Sequence, residues 1–60
     1  MKWIVEYRAQ MADGSIEEME LEIVANTARE VRHKAGLAVL DAGRNDPQIK
    51  RTRIQRIRAK

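Results

Sequence analysis

Gln48-Ile49-Lys50-Arg51-Thr52-Arg53-Ile54-Gln55-Arg56-Ile57-Arg58 admits two readings, and the architecture turns on the choice between them. Asp46-Pro47 ahead of it suits the start of a helix, with aspartate as cap and proline at the first position. Yet Ile49, Ile54 and Ile57 do not share one helical face. Isoleucine and threonine are β-branched and favour extended backbone. In a strand, Thr52 and Ile54 face one side together. Ile57 then falls one residue out of phase, which calls for a bulge or a strand end. The segment reads as a third strand within 48–58, entered through a turn at Asp46-Pro47.

Two strands precede it. Over 2–11, Trp3, Val5, Tyr7, Ala9 and Met11 alternate with Ile4, Glu6, Arg8 and Gln10. Over 16–25, Met19, Leu21, Ile23 and Ala25 alternate with Glu18, Glu20, Glu22 and Val24. A period of two marks a strand with one buried face. Ala12-Asp13-Gly14 joins them as a three-residue loop, with Gly14 at the left-handed position. That length sets Tyr7 against Met19, Val5 against Leu21 and Trp3 against Ile23. A two-residue loop would set Tyr7 against Glu20 and mix the faces.

Between strands two and three, Thr27-Ala28-Arg29-Glu30 has the form of a capping box. The helix it opens is expected over 28–42, with Gly43 as a left-handed C-cap. Ala28, Val31, Ala35, Ala38, Val39 and Ala42 make its inner face, and their small size lets it lie close to a sheet. The chain is thus expected to be one α+β domain over 1–60, of ββαβ order. Its three-stranded antiparallel sheet has order 2-1-3, with the helix on one face. Trp3, Val5, Tyr7, Leu21, Ile23, Val31, Val39 and Ile54 are the expected core.

Sixty residues bury only a thin core, with eighteen large apolar side chains and eight alanines to fill it. No cysteine is present, so no disulfide helps. That absence fits a reducing cytoplasm. No segment reads as a signal peptide or a membrane span.

Nothing in the sequence assembles a catalytic constellation, and a non-enzymatic role without cofactor, metal or small-molecule substrate is expected. Ser15 lies in a turn, His33 is the only histidine, and the three glycines form no phosphate loop. What stands out is charge. Residues 1–43 carry five basic and eight acidic side chains, whereas residues 44–60 carry seven basic and one acidic.

Arginine forks onto phosphate oxygens. Lys50, Arg51, Arg53, Arg56, Arg58 and Lys60 are therefore the expected contacts to a DNA or RNA backbone, assisted by Arg29 and Arg32 on the helix. Strict alternation would split these arginines between two faces. The bland alternative is that charge on an edge strand only blocks sheet-to-sheet aggregation. A second class of function, a protein-interaction module or homo-oligomer, would use Leu37 and Leu40, which fall outside the helix's inner stripe.

Overall fold

The computed structural model describes all 60 residues. Strand β1 spans Lys2–Met11, β2 Ile16–Val24, helix α1 Ala28–Asn45 and β3 Ile49–Ala59. The sheet has order β2-β1-β3, antiparallel throughout, so the ββαβ reading and the third strand both hold.

The hairpin has the expected register, with Tyr7 opposite Met19, Val5 opposite Leu21 and Trp3 opposite Ile23. Gly14 has φ +90° and is the only residue in the left-handed region. Asp13 locks the turn: its Oδ1 accepts from the Ser15 amide at 2.9 Å and from the Ser15 hydroxyl at 2.6 Å. Those two bonds hold the Asp13 carboxyl below its ordinary pKa range. The tip is tied across the sheet as well, where the Ala12 amide donates to the Gln48 carbonyl at 2.6 Å.

Thr27 caps α1 as its sequence suggests, its hydroxyl accepting from the Glu30 amide at 3.1 Å. The reciprocal bond lies one residue before the N-cap amide to which a capping box ordinarily closes. The Glu30 carboxylate accepts from Asn26, at 3.2 Å, rather than from Thr27. Lys34 then bridges elements, pairing with Glu30 at 2.9 Å and donating to the Val24 carbonyl at 2.9 Å.

The far end of the helix departs further. It runs through Gly43 to Asn45, one turn beyond the expected stop, and its C-cap is Asp46 in extended backbone. Gly43 packs against β3 without a positive φ, and a Cβ there would make only ordinary contacts, 3.6 Å from a Thr52 methyl and 3.8 Å from an Ile49 methyl. Asp46 turns the chain, its carboxylate accepting from Gln48 at 2.9 Å and its carbonyl from Ile49 at 3.0 Å.

The core lies between α1 and the inner sheet face: Val5, Tyr7, Ile23, Ala25, Val31, Ala35 and Val39. Trp3, Leu21 and Ile54, expected to be buried, are half-buried against its rim. A single 18-residue helix does not cover three strands to their edges, which explains the rim. The Trp3 indole donates to the Ala25 carbonyl at 3.2 Å, so its polar atom is satisfied there. Ile4 is the surprise, being only 9% exposed although it points away from the helix. Its register partners across the strands are Glu22 and Arg58, long side chains with aliphatic stems able to cover a neighbour.

Candidate functional site

The pairing of β3 with β1 determines where the arginines go. From Ala59 to Arg56 the partners are Trp3 to Glu6, and from Ile54 to Arg51 they are Tyr7 to Gln10. The register slips by one between these runs, and Gln55 is the extra residue. This bulge answers the misplaced phase of Ile57, which now lies opposite Val5 on the helix side.

Its consequence corrects the expectation that alternation would divide the arginines. Arg51, Arg53, Arg56 and Arg58 lie opposite Gln10, Arg8, Glu6 and Ile4, all on the face away from the helix. Thr52, Ile54 and Ile57 turn inward and are half-buried. The bulge keeps four arginines in one row, with alternate residues about 7 Å apart.

β2 places Glu18, Glu20 and Glu22 on the same open face. The sheet therefore presents a basic edge strand and an acidic one, with β1 between. At one end the two rows neutralise each other. Arg58 donates from Nε to Glu6 at 3.0 Å and lies 3.9 Å from Glu20. Lys60 reaches Glu22 at 2.7 Å, and Lys2 adds a longer contact at 3.7 Å. The Lys60 hydrogen bond, reinforced by the charges of Lys60 and Lys2, holds the Glu22 carboxyl below its ordinary range.

At the other end the arginines have no such partners. Arg51, Arg53 and Arg56 enter none of the six ion pairs. Arg8 lies directly opposite Arg53, a like-charge juxtaposition that a sheet ordinarily avoids. Arg8 is paired only with exposed Glu18, at 3.2 Å. Arg8, Arg51 and Arg53 with Gln10 and Gln55 line a shallow hollow of about 270 Å³.

The other expected contacts are dispersed. Lys50 is exposed at the start of β3, where the register slips a second time. Arg29 and Arg32 are exposed on α1, on the opposite side of the sheet from the arginine row. Leu37 and Leu40 are 54% and 50% exposed on the helix. Arg8 and Gln10 were missed by the sequence reading. Their parity on β1 marked them as outward-facing, but only the register of β3 brings them beside Arg53 and Arg51.

No three His, Cys, Asp or Glu side chains converge in a way that would hold a metal ion. No helix is long and apolar enough to cross a membrane. No protein-family model matches the chain, nor does any curated protein or solved structure.

Proposed function

We propose that the chain is a non-catalytic, cytoplasmic protein that binds the backbone of DNA or RNA, with Arg51, Arg53 and Arg56 as its principal contacts. The observation that carries this reading is the unpaired arginine row, held on one open face by the bulge at Gln55. Charge meant only to guard an edge has no need of a common face, nor of Arg53 set against Arg8.

A bound phosphate would relieve that opposition by accepting hydrogen bonds from both guanidinium groups. Lys50 and Arg8 extend the strip. Arg58 and Lys60, taken up by glutamates, contribute less than their sequence position suggests. The open face carries no aromatic side chain on which a base could stack, because Trp3 and Tyr7 both face the helix. Recognition is therefore of the backbone, with little preference among bases.

The test is binding to duplex DNA, single strands and RNA across a range of salt. Each neutralised phosphate releases counterions, so about three or four contacts give a log–log slope of about −3 to −4 on duplex. Replacing Arg51, Arg53 and Arg56 together with glutamine should abolish binding and leave the fold intact. Replacing Arg29 and Arg32 should change affinity little. Absence of affinity for any nucleic acid at low salt would refute the proposal.

A further inference from the structure

Both outer strands, β2 and β3, leave one side of their main chain without a partner strand. Their side chains are complementary. β2 shows glutamates 18, 20 and 22 on the open face and Met19 and Leu21, half-buried, on the helix face. β3 shows unpaired Arg51, Arg53 and Arg56 on the open face. On the helix face, β3 shows Thr52, Ile54 and Ile57, each half-buried. An extended strand fitting this edge needs acidic residues on one side and apolar residues on the other. The chain carries such a strand itself.

We propose that β2 of one copy adds to β3 of another, extending the sheet head to tail. The glutamates of the incoming strand meet the free arginines, and its Met19 and Leu21 fall on the helix side beside the half-buried Thr52 and Ile54. This is strand addition, in which main-chain hydrogen bonds give affinity and alternate side chains give specificity.

Geometry fixes the sense of the pairing. β2 and β3 are both antiparallel to β1, so they run in the same direction. A copy that keeps glutamates and arginines on one face is related by translation, which makes the new ladder parallel. Three strands at about 4.8 Å spacing exceed the roughly 10 Å width of a helix, so neighbouring helices do not collide. Self-pairing of either edge is opposed, because β2 on β2 sets glutamates together and β3 on β3 sets arginines together. The contact is heterologous and repeats without closing. The bulges at Lys50 and Gln55 interrupt the β3 ladder, which keeps the contact weak.

This inference does not depend on nucleic-acid binding, though both engage the same arginines. It is tested on the full chain, free of nucleic acid, by sedimentation from micromolar to millimolar concentration. The average mass should rise above the 6.9 kDa of one chain, without a plateau at two copies. At about 1 M salt, where screening acts within about 3 Å, it should fall back.

Two charge-reversed variants sharpen the test, each checked for folding by circular dichroism. Arg51→Glu/Arg53→Glu/Arg56→Glu has two acidic edges, and Glu18→Lys/Glu20→Lys has two basic ones. Neither should associate alone, and an equimolar mixture should. If reversal unfolds one of them, Arg51→Gln/Arg53→Gln replaces it and should lower the average mass at every concentration. A wild type that stays monomeric throughout, a mass that stops at the dimer, or association unchanged in the variants would each overturn the proposal.

Discussion

At the scale of single residues, the open face contains its own test of whether stability was given up there. Arg53 faces Arg8 across the strands, so Arg53→Glu should replace a repulsion with an attraction. We expect the melting temperature to rise, by about a few tenths of a kcal/mol in stability, while nucleic-acid affinity falls. A melting temperature that drops would show that Arg53 makes a stabilising contact within the folded chain and that its opposition to Arg8 costs nothing. Gly36 is simpler. It is exposed in the middle of α1, and a Cβ there would meet nothing within 4 Å. Gly36→Ala should therefore stabilise the chain by about 0.8–1.0 kcal/mol, measurable by urea unfolding.

Acid sensitivity follows from three exposed carboxyls. Asp13, Glu22 and Glu30 all titrate below their ordinary values of 3.8, 4.5 and 4.5, held by bonds to Ser15, Lys60 and Lys34 respectively. A folded-state pKa lower than the unfolded one means that the unfolded chain binds protons more readily. The stabilisation is fully present above the unfolded pKa and is lost as pH falls through the folded one. Thermal stability should thus be flat near neutrality and decline as pH drops below about 4.5. A scan showing no decline between pH 5 and pH 2 would mean that these bonds do not persist in solution.

At the scale of elements, β1, β2 and their hairpin were legible because a period of two and the loop length agreed on one register. The start of the helix was legible from Thr27 and Glu30. Its end was not, since Gly43 reads as a stop, whereas the helix runs on to Asn45 and Asp46 makes the turn. In β3, the phase of Ile57 announced an irregularity without saying which residue absorbed it. The structure assigns it to Gln55. Removing Gln55 joins Ile54 to Arg56 and leaves inward and outward residues in unbroken alternation. The deletion should therefore fold, with the arginine row on the same face and affinity retained. A deletion variant that unfolds would show that the β3 register is wrong. Val31, 1% exposed at the centre of the helix face, tests the packing. Val31→Ala should cost roughly 2 kcal/mol, enough to strain so small a core.

At the scale of the whole molecule, the polarity along the sequence becomes a polarity across the sheet. The acidic half of the chain supplies one edge and the basic tail the other, while the helix closes the opposite face. That conversion could not be read from composition. It depends on the order β2-β1-β3, which separates the two charged strands by one, and on the bulge, which spares the arginines from division. Where the rows meet through Arg58 and Lys60 the charge is spent within the molecule. At the Arg51–Arg56 end it remains available.

The most direct measurement is a residue-resolved one: NMR amide and guanidinium shifts during titration with a short oligonucleotide at low salt. If the proposal holds, shifts concentrate at Arg8, Gln10, Arg51, Arg53, Gln55 and Arg56. Arg29, Arg32 and Leu37, across the sheet, should stay unmoved, and added salt should reverse the changes. Shifts centred on the helix, or none at any residue, would contradict it.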